Sequence, residues 1–296
     1  MMVKSISNAS AAAVEMQVAP MTTTMTDGMH GTEKPPEDGS YHDMLAFGFG
    51  QPVVSSADGF RQRTVIGEDD RILIVQTKAD PFRRICNLLI EGSLGTYVGT
   101  GTLVGPRTVL TAGHCVNHRA TMGGWAKRII VTPGQNGTER PFGQFASTNF
   151  IALDRWVDSQ DPDYDISCIQ LDEPIGEKVG TFSLATFPAA ELENRKVNIC
   201  GYPADKGGMH QWFHADQVLT VGPKRVFYVT DTFGGQSGAP VWVYRDDAPD
   251  VPIQIGVHAY GTGGTPSAMG IAANSAPLLI PEVMEQIKSW IAAAGE

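Results

Sequence analysis

A chain of 296 residues with only 18% charged side chains is long enough to bury a sizeable core, as one large domain or two small ones, and does not read as a solvated disordered polymer. Its net charge of −10 disfavours nonspecific binding to nucleic acid or anionic membrane, and no apolar run approaches the ~18 residues of a bilayer span. The 33 glycines, 19 prolines and 42% hydrophobic content suit a turn-rich β protein.

Residues 1–63 differ from the rest of the chain. They are rich in Ala, Met, Thr, Ser, Gly and Pro, with a Met/Thr cluster over 21–25, an acidic Pro-rich run over 33–38 and poor hydrophobic periodicity. This reads as a flexible leader or pro-segment. No secretory signal is visible, because the apolar run Ala11-Ala12-Ala13-Val14 is short and meets Glu15.

From Thr64 the pattern changes to short strands separated by turn signals: 72–75, 84–90, 97–103, 108–111, 129–131 and 166–171. A Pro/Gly/Ala-rich passage over 172–195 interrupts them. Strands resume at 196–200, 217–221, 226–230, 241–244 and 253–258. Two strand clusters around one linker predict an all-β fold of two tandem antiparallel β-barrels, the first over 64–180 and the second over 181–296. At the end, Pro281 stands at a first helical position and Val283, Ile287 and Trp290 or Ile291 follow at helical spacing, which predicts a packing helix.

The four cysteines are Cys86, Cys115, Cys168 and Cys200, and none forms CxxC, so a cysteine-only zinc site is not expected. An even count permits two disulfides; four dispersed buried thiols would leave the same pattern.

Three stretches carry chemistry. Thr230-Asp231-Thr232-Phe233-Gly234-Gly235-Gln236-Ser237-Gly238-Ala239-Pro240 is a Gly-rich loop with one serine beside main-chain N–H groups, the setting acyl transfer needs, although a hairpin turn would also explain a lone GxSG. His114 ends an apolar strand in Thr111-Ala112-Gly113-His114-Cys115. Asp163 and Asp165 precede the strand over 166–171; either is a turn residue on its own. Together the features run His, Asp, Ser along the chain. The GxSxG elbow of α/β-hydrolases fails, because Ala239 holds its last position.

At these residues the chain resembles the chymotrypsin-fold serine proteases, and more closely the bacterial glutamyl endopeptidases. The segment from Thr64 to Arg71, Gly201 to Lys206 and Asp231 to Ser237 are similar to that family's blocks, and the similarity runs from about Thr64 to the C-terminus. The resemblance implies Ser237 as nucleophile, His114 as general base, Asp165 rather than Asp163 as its orienting acid, and the N–H groups of Gly235 and Ser237 as the oxyanion hole. It also implies that Thr232, His258 and the mature N-terminal amine, here at Val65, receive a substrate carboxylate, which predicts cleavage after Glu and less often Asp. Asp231 opposes that reading, because it lies six residues before Ser237, where trypsin-like enzymes carry the acid that binds Lys or Arg. Gln236 fills the place of the acid that receives the new N-terminus in trypsin-type zymogens, so that switch should be absent; leader removal near Arg63-Thr64 or Thr64-Val65 is expected to mature the enzyme. Many relatives bridge the cysteine after the catalytic histidine to one near Gly99; that partner is missing here, and Cys86 is the nearest upstream candidate for Cys115.

The expectation is a secreted, monomeric endopeptidase acting on proteins or peptides, without metal or cofactor. Two other classes remain open: a two-barrel scaffold that binds without cleaving, and a metal protein using His114/His118 or His210/His214, each four apart, although HExxH is absent. Asn136-Gly137-Thr138 fits a glycosylation acceptor.

Overall fold

The computed structural model describes residues 65–295, together with three short upstream strands, Val3–Ser7, Phe47–Gly48 and Gln51–Pro52. Two eight-stranded sheets carry the fold, which is all-β with a C-terminal helix, as expected. The first sheet has the order Val3–Ser7, Asn149–Leu153, Ser167–Gln170, Thr108–Thr111, Thr96–Leu103, Ile85–Glu91, Arg128–Pro133, Phe145–Ser147, and every neighbouring pair is antiparallel. Along Ile85–Glu91, Cys86, Leu88 and Ile90 alternate onto the first core, the period that a half-buried strand requires.

The second sheet runs Ser183–Leu184, Ala248–Val257, Pro240–Arg245, Lys196–Gly201, Gln211–Val221, Arg225–Tyr228, Asn274–Pro277, with Ile72–Ile74 paired to Gln211–Val221 off this path as its eighth strand. Val197, Ile199, Val226, Tyr228, Val241 and Val243 build its core. The helix Pro281–Ala293 begins at the proline and buries Val283, Ile287 and Trp290. These join the first core, so the last element of the chain closes the barrel formed by its first half. Each such side chain contributes about 1.5–3 kcal/mol of apolar burial.

The strands differ from expectation in several places. The strand Ile72–Ile74 pairs with Gln211–Phe213 and so belongs to the second sheet, not to the cluster it opens in sequence. Phe145–Ser147, Asn149–Leu153 and Asn274–Pro277 are strands without clean alternation, and their ladder partners hold them in place. Gln211–Val221 is longer than 217–221 because Lys196–Gly201 pairs along its first half. Most of 1–63 lies outside the described residues, but Val3–Ser7 adds to Asn149–Leu153 from Val3↔Leu153 to Ser7↔Asn149, so the irregularity expected of the leader does not extend to it. Without Val3–Ser7, Asn149–Leu153 would be an edge with open ladder groups, which a short extended segment can take up.

All four cysteines are free and buried, which corrects the Cys86–Cys115 pairing. Cys86 faces Gly101 across its ladder, whereas Cys115 Sγ faces Gly99, where an added Cβ would lie 3.1 Å from the sulfur. Burial pushes the thiols of Cys86, Cys168 and Cys200 above their ordinary range, which suppresses the reactive thiolate. The native protein should therefore react negligibly with a thiol reagent, and four thiols should titrate after unfolding without reductant. Fewer than four would reveal a bridge.

Candidate active site

The site begins with a ladder. Thr108–Thr111 and Ser167–Gln170 pair antiparallel with Thr111 opposite Ser167. His114 follows the first strand on the one-turn helix Gly113–Val116, and Asp165 precedes the second, directly after the 3-10 turn Pro162–Tyr164. Register alone brings the two together. Asp165 Oδ1 accepts the His114 backbone N–H at 2.8 Å, and Oδ2 lies 2.7 Å from His114 Nδ1. Gly113 is required here, because an added Cβ would lie 2.6 Å from the Trp156 ring and 2.8 Å from Asp165 Oδ1. Asp163, the other candidate, is 41% exposed on its side chain and lies 4.0 Å from Arg225 Nε.

Both His114 and Asp165 are fully buried. Burial opposes charge on the imidazole, but the Asp165 carboxylate more than offsets this and holds His114 well above its ordinary range. Trp156 meets the imidazole edge-on at 6.3 Å and Tyr260 lies at 6.4 Å on a tilted plane. Burial, and then the Asp165 charge, push the Tyr260 phenol well above its usual range. Neither aromatic stood out in the sequence.

The serine loop docks onto this pair from the second half of the chain. The Ser237 carbonyl accepts the Thr100 N–H at 2.8 Å and lies 3.6 Å from Sγ of Cys115, the neighbour of His114. Gly238 has φ +87°, and a Cβ there would lie 2.0 Å from the Thr100 carbonyl, so the close approach needs glycine. Ser237 Oγ is buried and has no hydrogen-bond partner among the described residues. The Gln236 N–H donates to the Phe233 carbonyl at 3.0 Å, while the N–H groups of Gly235 and Ser237 on either side make no hydrogen bond among the described residues. Gly235 takes φ +97° and its carbonyl turns away to accept Thr100 Oγ1 at 2.8 Å. Two N–H groups next to the serine are thus left uncommitted among the described residues.

The expected carboxylate-binding residues lie on the same loop and beside it. Thr232 is buried with Oγ1 unpartnered among the described residues. His258 is buried too, and reciprocal backbone bonds tie it to the loop: Gly238 N–H to its carbonyl at 2.7 Å, and its N–H to the Ala239 carbonyl at 2.9 Å. The Tyr228 hydroxyl lies 2.7 Å from His258 Nδ1 and fixes the ring, a partner hidden in the sequence among the alternating residues of its strand. Val65 stands at the edge of this region, since the next residue, Ile66, donates its N–H to Asp231 Oδ1 at 2.7 Å.

Asp231 is already engaged by the segment that follows Val65. Its Oδ2 accepts the Asp70 N–H at 3.1 Å and lies 3.5 Å from His214 Nδ1, which accepts the Asp231 N–H at 2.8 Å. Ligand atoms of Asp70, His214 and Asp231 lie within 4.8 Å of one another; His118 and His210 join no such cluster among the described residues. The carboxylate is thus committed to backbone donors, and the sequence contained no local signal for that.

The Trypsin family profile matches residues 75–279. The chain is 35% identical over 230 residues to a glutamyl endopeptidase of Bacillus licheniformis, covering 77% of this chain and 69% of that protein. It is 32% identical over 229 residues to an extracellular metalloprotease of Bacillus subtilis, covering 77% and 69%. A solved structure of a Glu endopeptidase in complex with MPD superposes with a TM-score of 0.66 at 28% identity, covering 77% of this chain and 99% of that one. The ladder-built His114–Asp165 pair, the docked serine loop and these likenesses converge: the chain belongs to the trypsin family of chymotrypsin-fold serine endopeptidases, alongside the bacterial glutamyl endopeptidases.

Proposed function

We propose that this endopeptidase cleaves after Glu, and less often Asp, through His114, Asp165 and Ser237. Ser237 Oγ attacks the peptide carbonyl while His114 Nε2 takes its proton. Asp165 holds the tautomer with Nδ1 protonated and stabilises the imidazolium. The N–H groups of Gly235 and Ser237 bind the oxyanion, His114 returns the proton to the leaving amine, and water then resolves the acyl-enzyme by the same route. The contact that carries this reading is Asp165 bridging both the backbone N–H and Nδ1 of His114.

The preference for an acidic residue rests on Thr232, His258 and Asp231. A buried substrate carboxylate needs donors, and Thr232 Oγ1 is a buried hydroxyl with no partner among the described residues. With Tyr228 on Nδ1, His258 would meet such a ligand through Nε2. The Asp231 carboxylate, already accepting from Ile66 and Asp70, is poorly placed to receive Lys or Arg. A cleavage profile of the matured chain on a peptide library tests the proposal. Cleavage mainly after Glu is expected, and cleavage mainly after Arg or Lys would overturn it.

Thr232→Val should lower kcat/KM for Glu substrates about 10–150-fold, the loss of one hydrogen bond to a charged group worth ~1.5–3 kcal/mol, and leave peptides with a neutral residue there nearly unchanged. Equal losses on both would place Thr232 outside the pocket.

Maturation follows from the same arrangement. Removal of the leader near Arg63-Thr64 or Thr64-Val65 would leave the new amine a residue or two from Ile66, beside the loop that bears Thr232. N-terminal sequencing of the active form tests this. We infer action outside the cytoplasm from the relationship to a Bacillus subtilis protein named as extracellular.

A further inference from the structure

The chain immediately after the expected processing point does little as hydrophobic packing. Ile72 is 57% exposed and Leu73 44% exposed, and of the edge strand Ile72–Ile74 only the half-buried Ile74 packs on a core. Besides its ladder with Gln211–Phe213, part-buried polar contacts hold this segment, and they converge on one loop.

The first contact is Asp231, whose two oxygens accept the N–H groups of Ile66 and Asp70 across more than 160 residues of sequence. Charge-assisted bonds to a buried carboxylate are the strong kind. Asp231 is followed directly by Thr232 and Phe233, so the anchor stands at the root of the serine loop.

The second contact is Arg71. Its guanidinium is buried and grips Asp69 through Nε at 2.8 Å and Nη2 at 2.9 Å. It also reaches both oxygens of Asp205, through Nη1 at 3.1 Å and Nη2 at 2.5 Å. Burial opposes charge on Arg71, but these bonds outweigh it and raise its pKa, while the bond to Arg71 depresses that of Asp69, so both stay ionised at neutral pH. Asp205 belongs to the 3-10 turn Ala204–Lys206, and the Ala204 N–H donates to the Gly234 carbonyl at 2.7 Å. The fit beside that turn is tight, since a Cβ at Gly235 would lie 2.4 Å from the Tyr202 carbonyl. Arg71 also lies over the Phe233 ring at 5.8 Å. It therefore meets the Phe233-Gly234-Gly235 stretch from two sides: directly, and through Asp205, Ala204 and the Gly234 carbonyl.

Beyond Asp231 the loop carries no acid as far as Pro240. Gln236 closes it internally, with Oε1 accepting the Phe233 N–H at 2.9 Å. We propose that Ile66–Arg71 is a latch that sets the geometry of the oxyanion loop, with Arg71 and Asp231 as positioning residues. The latch rests on the serine-endopeptidase reading above but not on the preference for Glu. It acts through peptide N–H groups and a guanidinium, so it needs the segment itself rather than a free amine at its start.

The test uses the matured enzyme and two variants, Arg71→Met and Asp205→Asn. Active sites are titrated with a fluorophosphonate, and kcat is expressed per titrated site. Amide hydrogen exchange is followed at residues 233–237. For Arg71→Met, kcat per site should fall about 10²-fold, the scale of losing one oxyanion donor, with KM changed by less than about threefold. Exchange at 233–237 should rise while the remainder of the second sheet stays protected. Asp205→Asn, which keeps shape and one acceptor, should show the same pattern in smaller measure, and decides the matter if Arg71→Met fails to fold. A merely structural role would lower the melting temperature and the yield of active sites while leaving kcat per site and local exchange unchanged; that result overturns the latch. If the wild-type chain neither cleaves peptides nor takes the label, the enzyme reading has failed. The latch is then still judged by exchange at 233–237, which must rise in both variants if it exists.

Discussion

Ser237→Ala is expected to lower peptide turnover by about 10⁶ while leaving the melting temperature unchanged or slightly higher. The two halves of this result have separate causes. The Ser237 hydroxyl is buried and has no hydrogen-bond partner among the described residues, so the fold loses nothing when it goes, and one unsatisfied polar group disappears. The contacts that dock the loop do not use the Ser237 side chain: Thr100 N–H to the Ser237 carbonyl, Gly238 N–H to the His258 carbonyl and Thr100 Oγ1 to the Gly235 carbonyl all survive in alanine. The proposed oxyanion donors, the N–H groups at Gly235 and at residue 237, persist as well. A residual acceleration of roughly 10³–10⁴ over water should therefore survive, from transition-state stabilisation without a nucleophile. Fluorophosphonate labelling should vanish completely, since it needs the oxygen. Peptidase activity in the variant comparable to wild type would end the assignment of Ser237. Failure of the wild-type chain to take the label would favour the scaffold that binds without cleaving.

The parts of the site that could be read in sequence are those built from local pattern. His114 and Asp165 each adjoin a short apolar strand, and a hydrophobic strand announces itself within a few residues. That the two strands pair with Thr111 opposite Ser167, and so bring Asp165 rather than Asp163 against His114, follows only from long-range assembly. What stayed hidden was what distant backbone supplies. Asp231 looked like a pocket acid because of its spacing from Ser237; its actual partners, Ile66 and Asp70, lie more than 160 residues upstream. The strand Ile72–Ile74 looked like the first strand of the first barrel, but its ladder partner is Gln211–Phe213. Asn149–Leu153 carries little alternation, because neighbouring strands rather than its own side chains determine that it is a strand. Tyr228 and Tyr260 were ordinary aromatics until the fold placed one on His258 and the other beside His114. The same holds for the cysteines: whether two sulfurs meet depends on long-range assembly, which sets Cys86 across its ladder from Gly101 and packs the Cys115 sulfur, on its one-turn helix, beside Gly99.

Asp165→Asn should lower kcat by about 10⁴, the loss this exchange brings in other triads, and should move the acid limb of the residual pH profile downward. The cause is a conflict of donors. The His114 backbone N–H, bound to Oδ1 at 2.8 Å, can only donate, so the asparagine carbonyl oxygen must stay on that side. The amide NH₂ then takes the Oδ2 position, 2.7 Å from Nδ1 in the wild-type site, and it too can only donate. Nδ1 must become an acceptor, the ring proton moves to Nε2, and the nitrogen that should take the Ser237 proton is already protonated. The shift in pH has a definite sign. In the wild type, burial disfavours the imidazolium but the carboxylate outweighs it, so the His114 pKa lies well above the ordinary imidazole range and activity falls as pH drops through that raised value. In the variant the negative charge is gone and burial remains, so the neutral ring persists to lower pH and the limb shifts to the acid side. Asp163→Asn is the control. With its carboxylate largely exposed and 4.0 Å from Arg225 Nε, it should change kcat by no more than a few fold and leave the limb in place. A large loss from Asp163→Asn beside a mild one from Asp165→Asn would transfer the role to Asp163. A limb that moves upward in Asp165→Asn would show that the carboxylate does not set the His114 charge.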